Sequence, residues 1–241
     1  MQINLPKLAT VILHYGKIEF TQRLHAQLKE KNEQVFVLDN NSPHPYPAAW
    51  LRLNQNLFWA GALDYCLKYF QKQGYDYLWF LNNDLYFVSD LPIISRVKSR
   101  LAYLHKKYEK IGIYSPCVSQ NPYHAQMVKR YAQGWVKVTY VDGIALLINL
   151  QCFRELTELD LADNVYGYGV DVWLSYRANQ LGWLVVVDQE VEVKHFYHYT
   201  AKNVTGFLAR ARQVQQRYLK ERFGPDFKTQ LDALQKIIEP L

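Results

Sequence analysis

The sequence predicts an α/β fold with a mainly parallel sheet covered on both faces, and three observations carry that expectation. Six short apolar runs punctuate the chain: ATVILH (9–14), QVFVLD (34–39), YLWFLN (77–82), KIGIYS (110–115), IALLIN (144–149) and WLVVVD (183–188). Each is rich in Val, Ile, Leu or aromatic residues and bounded by polar ones, as buried strands are. Longer segments with helical spacing lie between them. Polar residues follow the first three runs, and sheets of this kind bind ligands beyond the carboxyl ends of their strands.

In chain order, the first run ends in His14-Tyr15-Gly16, and residues 17–32 then place Phe20, Leu24 and Leu28 on one helical stripe. The second run ends in Asp39-Asn40-Asn41-Ser42 and meets Pro43, which is also a strong turn sequence. Residues 60–73 align Ala60, Leu63, Leu67 and Phe70 on a second helix. The third run ends in Asn82-Asn83-Asp84, and residues 92–108 form a third helix with Pro92 suited to its first turn. Runs 110–115, 144–149 and 183–188 supply the remaining strands. Residues 203–224 interleave Phe207, Ala211, Val214, Tyr218 and Phe223 with cations. Two readings of this tail stand: an amphipathic helix touching an anionic membrane surface, or a surface helix packed on the domain through its apolar stripe.

With 241 residues, 49% of them hydrophobic and 15% aromatic, the chain can bury one large core. No run reaches the roughly 20 apolar residues of a membrane span. The first sixteen residues lack the basic start, long apolar run and cleavage site of a signal peptide, so a cytoplasmic protein is expected. Cys66, Cys117 and Cys152 are odd in number and far apart, which argues for buried free thiols over disulfides or zinc. The net charge of +6 favours an anionic partner, and its scatter argues against nucleic acid.

Several motifs, in order and spacing, resemble the inverting family-2 glycosyltransferases with the GT-A fold, in the branch labelled rhamnosyltransferase-like. VILHYG…VFVLDNNS…NLFWAGALDYCL…DYLWFLNNDLYF resembles their nucleotide-binding half. VDGIALLINLQCFREL resembles the acceptor-side segment with a glycine before an apolar strand. YGYGVDVWLSYRANQLGW resembles the segment that carries the catalytic carboxylate, and VEVKHFYH the histidine-bearing strand end after it. The likeness runs from about residue 8 to 198. It implies one Rossmann-like nucleotide-diphospho-sugar transferase domain over 1–241, with a nucleotide-sugar-binding half (1–95), an acceptor and catalytic half (96–200) and a helical tail (201–241). It further implies transfer of a hexose or deoxyhexose, with inversion, from a nucleotide-diphospho-sugar to a glycan or lipid-linked acceptor. The expected setting is bacterial capsule or lipopolysaccharide synthesis, in the cytoplasm or at the inner face of its membrane.

The resemblance also implies roles. Asp39 contacts the nucleotide base, with His14, Tyr15, Asn56, Asn82 and Asn83 around the donor. Asp84 and His195 hold a divalent cation, Mn or Mg, against the donor diphosphate. Asp142, Gly143 and Trp173 stand on the acceptor side, and Asp171 deprotonates the acceptor hydroxyl. The residue types suit the chemistry: a hard cation with few protein ligands takes the rest from phosphate and water, and one carboxylate can accept the hydroxyl proton as the new bond forms. Gly167 and Gly169 allow close backbone approach to a substrate, and a helix starting at Asp171 favours its ionised form.

Structural alternatives accompany these roles. Asp84 and Asp39 also serve turns, Asp171 also suits a helix N-terminus, His195 and His198 also suit an aromatic packing cluster, and His14 also suits a strand cap. The sequence departs from the family pattern at Asn82, Val170 and Trp173, and Leu57-Phe58-Trp59 replaces a small-residue turn after Asn56. Two other functions compete: a binding module of the same fold that has lost its chemistry, and a sugar-phosphate nucleotidyltransferase. The second is disfavoured by HYGKIEF, which has one glycine where a glycine-rich loop is needed.

Overall fold

A computed structural model describes residues 6–130, 134–197, 199 and 201–241. The expectations for the first five residues and for His198 lie outside the described residues. The chain runs β1 (Leu8–His14), α1 (Ile18–Leu28), β2 (Val35–Asp39), β3 (Leu51–Arg52), α2 (Phe58–Lys72), β4 (Tyr77–Asn82) and β5 (Leu85–Phe87). It continues through α3 (Ile93–His105), β6 (Ile111–Val118), β7 (Trp135–Val138), β8 (Ala145–Asn149), α4 (Leu150–Leu156), α5 (Val170–Gln180) and β9 (Leu184–His195). The tail holds α6 (Phe207–Phe223), α7 (Phe227–Leu234) and β10 (Ile238–Pro240). All six predicted runs are strands, and all three predicted helices form.

One sheet takes the order β10-β7-β9-β6-β8-β4-β1-β2-β3, with β5 pairing β9 off this path. One end of it, β4-β1-β2-β3, is parallel, while β8 pairs both β4 and β6 antiparallel and β6 pairs β9 parallel. The strands β1, β4 and β8 are apolar without alternation because helices cover both faces. Right-handed crossovers explain the layers: β1 to β2 moves outward and β2 to β4 moves back past β1, so α1 and α2 fall on opposite faces. Trp79, Tyr114, Phe70 and Phe80 are the largest side chains wholly buried between these layers, and each such burial contributes about 1.5–3 kcal/mol. The three cysteines are buried and free, as expected.

Two features of register position the site. Leu13 pairs Asn82 and His14 pairs Asp39, so the carboxyl ends of β1, β2 and β4 finish level. Along β9, a register shift separates the Pro116–Asp188 pair from the Cys117–Glu192 pair, a bulge that redirects the strand. The second half of β9 then pairs β5, with Leu85 opposite His195.

Candidate active site

A cleft of about 950 Å³ opens at the carboxyl ends of β1 and β4. Of the residues singled out above, Tyr15, Asn56, Asn82, Asn83, Asp84, Asp142, Gly143, Asp171 and His195 line it. His14, Asp39 and Trp173 are not among its lining residues.

Asn83 and Asp84 form the turn between β4 and β5. The Asn83 amide donates to the Tyr15 carbonyl and the Thr21 hydroxyl, bracing that turn against the end of β1 and against α1. Asp84 Oδ1 lies 2.9 Å from His195 Nε2. Burial opposes a charge on the His195 ring, but the Asp84 carboxylate, with Asp142 behind it, raises its pKa above the usual value. His195 Nδ1 and the buried Asn82 Oδ1 find no hydrogen-bond partner among the described residues, which is costly unless a ligand or water satisfies them.

Asp171 sits in the first turn of α5 and is buried. Its Oδ2 accepts from the Gly143 amide at 2.7 Å and its Oδ1 from the Val172 amide at 2.9 Å. Burial first, and then the Asp142 carboxylate, push its pKa up to about 7 against the pull of those two amides. The expectation that the helix start holds it ionised is therefore corrected: desolvation outweighs the helix terminus. Gly167 and Gly169 line the cleft, and Gly167 has a packing role as well. A Cβ on Gly167, whose φ is +85°, would stand 2.7 Å from Cβ of Ala60 and 2.9 Å from its amide nitrogen. Its close approach serves the packing of this loop on α2.

Three further candidate residues have their polar atoms engaged within the protein. Asp39 is fully buried, and its carboxylate accepts from the amides of Ser42 and Tyr46 and from Arg52 at 2.7 Å. It closes the turn after β2, and its oxygens are engaged within the protein. His14 is equally buried: its Nε2 donates to the His44 carbonyl, and its Nδ1 pairs with the Thr21 hydroxyl. Trp173 turns to the tail, donating to Asp160 at 2.7 Å and packing edge-on against Phe223.

Sequence reasoning missed two groups. Trp59 lines the cleft, as do Tyr166 and Tyr168, and Phe58 packs against both Tyr166 and Phe207. Burial, and then Asp142 and Asp84, push the Tyr168 phenol up to about 12. The tail also closes the cleft, through Leu208, Arg212 and Gln215 of α6 and Lys228 and Leu231 of α7. Their spacings of three and four were legible, but the surface they face was not.

No family model matches the chain. It is 26% identical over 217 residues to uncharacterized proteins of Mycobacterium tuberculosis and Mycobacterium bovis, spanning 86% of this chain and 80% of theirs. Its fold is similar to that of GalNAc-T7, solved with UDP, GalNAc and Mn2+, at 13% identity and a TM-score of 0.59 over 80% of this chain. It is also similar to the mannosyltransferase PcManGT from Pyrobaculum calidifontis, in complex with GDP-Man and Mn2+, at 14% identity and a TM-score of 0.56 over 86% of this chain. The chain spans 44% and 64% of those two proteins, less than two thirds of either. At these identities the likeness is one of fold: an α/β, GT-A-type domain with helices at its C-terminal end. Among the described residues no helix is long and apolar enough to cross a membrane.

Proposed function

We propose that the chain is a glycosyltransferase that moves a sugar, with inversion, from a nucleotide-diphospho-sugar to a glycan or lipid-linked acceptor. The observation that carries this reading is the joint opening of the Asp84–His195 pair and the buried, raised-pKa Asp171 onto one cleft in a GT-A-type fold. Buried carboxylates with raised pKa values recur at functional sites.

In the proposed reaction the ionised Asp171 accepts the proton of the acceptor hydroxyl. The acceptor oxygen bonds to the anomeric carbon, and the bond from that carbon to the phosphate oxygen breaks, its electron pair leaving with the diphosphate. A base with a pKa near the working pH is well matched to this task. Tyr15, Asn56, Asn82 and Asn83 bind the donor, and Asp142 and Gly143 stand on the acceptor side. The exposed tail cations Arg217 and Lys220 would meet an anionic membrane carrying the acceptor, which co-sedimentation with anionic vesicles tests.

Among the described residues no three metal-ligating side chains come together. The donors present, one carboxylate and one imidazole in a cleft that an asparagine with an unsatisfied amide oxygen also lines, fit a divalent cation that draws its other ligands from a diphosphate. Asp84 and His195 would hold it, and when bound it supplies positive charge to the leaving diphosphate. Capsule or lipopolysaccharide synthesis in the cytoplasm, by a rhamnosyltransferase-like enzyme, is the setting this reading favours.

A panel of nucleotide-sugars screened by thermal shift with Mn2+ tests the reading. A true donor at 100 times its Kd adds about 2.7 kcal/mol of apparent stability and then yields free nucleoside diphosphate on incubation with acceptor. Stabilisation by glycans alone, with no response to any nucleotide, would contradict it.

A further inference from the structure

Leu57-Phe58-Trp59, the segment that departs from the family pattern, leads to Asp171 through one residue. Trp59 Nε1 donates to the Gly143 carbonyl at 3.1 Å, and the Gly143 amide donates to Asp171 Oδ2 at 2.7 Å. The indole also occupies the space a side chain at 143 would need: a Cβ there would stand 2.3 Å from Trp59 Cζ2 and 2.7 Å from Cη2. Residue 143 is therefore held by a hydrogen bond on its carbonyl and by ring carbons against its α-carbon. The indole thus restrains the same residue whose amide donates to Asp171.

We infer that Trp59 is a positioning residue for Asp171, holding Gly143 so that its amide fixes the carboxylate's orientation. The inference rests on the reading of Asp171 as the base. A second observation supports it independently. Phe58 has a φ of +53°, in the left-handed region that bulky residues avoid. Its amide donates to Asn56 Oδ1, and the Leu57 amide donates to Asn40 Oδ1. The start of α2 is thus held in an unfavourable backbone conformation beside the cleft, and such outliers cluster where function requires a fixed geometry. The residue that follows carries its indole to Gly143.

The chain of contacts makes a specific claim about Asp171. Backbone donors, those of Val172 and Gly143 among them, lower its pKa against burial and Asp142, and Tyr140, Tyr168 and Tyr218 are its other ionisable neighbours. Loosening Gly143 weakens one of those donors and leaves the charges in place. The carboxylate then becomes harder to ionise and less well aimed.

The test compares wild type with Trp59→Phe, and with Trp59 replaced by benzothienylalanine, which keeps the ring outline and lacks the N–H. The Asp171 titration is read by carbon-13 NMR of its carboxyl group, and donor KM and kcat are measured alongside. The expected result is an Asp171 midpoint raised by about one pH unit, since a charge-assisted hydrogen bond is worth roughly that much. At neutral pH kcat should fall several-fold with donor KM little changed. An unchanged midpoint and unchanged kcat in a folded benzothienylalanine variant would overturn the inference, because a merely structural indole changes stability alone. Failure of the underlying reading looks different: near-normal kcat in Asp171→Asn would remove the catalytic meaning, whatever the NMR midpoint does.

Discussion

Asp84 Oδ1 and His195 Nε2 meet at 2.9 Å although 111 residues separate them. The meeting is built by the sheet: β5 pairs the end of β9, and the Phe196 amide donates to the Asp84 carbonyl. Both side chains are therefore aimed by the core. Asp84→Ala or His195→Ala should weaken Mn2+-dependent nucleoside diphosphate binding by about 10–100-fold or more while the melting temperature holds. Calorimetric titration checks this. Unchanged affinity in both variants, with full wild-type activity in excess chelator, would remove the cation from the account.

Asp39 serves stability. Its carboxylate accepts from two buried amides and from Arg52. Asp39→Ala orphans those amides, at about 1–3 kcal/mol each, while the half-exposed Arg52 can return to water. A loss of about 3 kcal/mol in denaturant unfolding is expected. Intact stability with a sharply raised donor KM would instead restore Asp39 as a base contact.

The tail is latched through Asp160. Its carboxylate accepts from Trp173 and twice from Arg222, and its carbonyl from Tyr218. Burial opposes the charge on Asp160, but Arg222 and Trp173 lower its pKa below the ordinary 3.8. A carboxylate with a lowered native pKa contributes stability that is complete above its unfolded pKa and is lost as pH falls through the native value. Asp160→Ala should therefore speed proteolysis within α6 at neutral pH and abolish any acid-induced increase in that cleavage. Equal cleavage rates in wild type and variant would show that the latch does not hold the tail.

Asp171 has the opposite sign. Its native pKa is raised from 3.8 to about 7. Below pH 3.8 both folded and unfolded chains hold the proton. Between there and about 7 the unfolded chain releases it and the native one does not, so this group costs stability as pH rises. The stability of Asp171→Asn relative to wild type should climb across that window and level off above it. The climb should be on the order of 1.4 kcal/mol for each pH unit that separates the native pKa from the unfolded one. A pH-independent difference, followed by urea unfolding, would show an ordinary carboxyl. On the proposed mechanism the acid limb of kcat/KM should also lie near pH 7.

The sheet was legible because strands buried on both faces leave continuous apolar runs, and YLWFLN and IALLIN could be little else. Residues after the first and third runs were legible as a site because parallel strands end at one place. The engagement of Asp39 was not legible, because its residue type fits both a ligand and a turn and its partner Arg52 lies in a two-residue strand with no pattern of its own. The contacts of Trp173 were illegible for the same reason: Asp160 and Phe223 reach it only through the fold. The tail's apolar stripe was read correctly, but its cleft-facing side, Arg212 and Gln215, carries no sequence mark that distinguishes it from a solvated face.

The central claim is that Asp171 takes the acceptor's proton. The rate of sugar transfer by Asp171→Asn, under saturating donor and acceptor and beside a matched measurement of donor affinity, tests it most directly. General-base assistance is typically worth 10²–10⁴-fold, so the rate should fall by about that factor while donor affinity stays within a few-fold of wild type. Turnover near the wild-type rate would contradict the account.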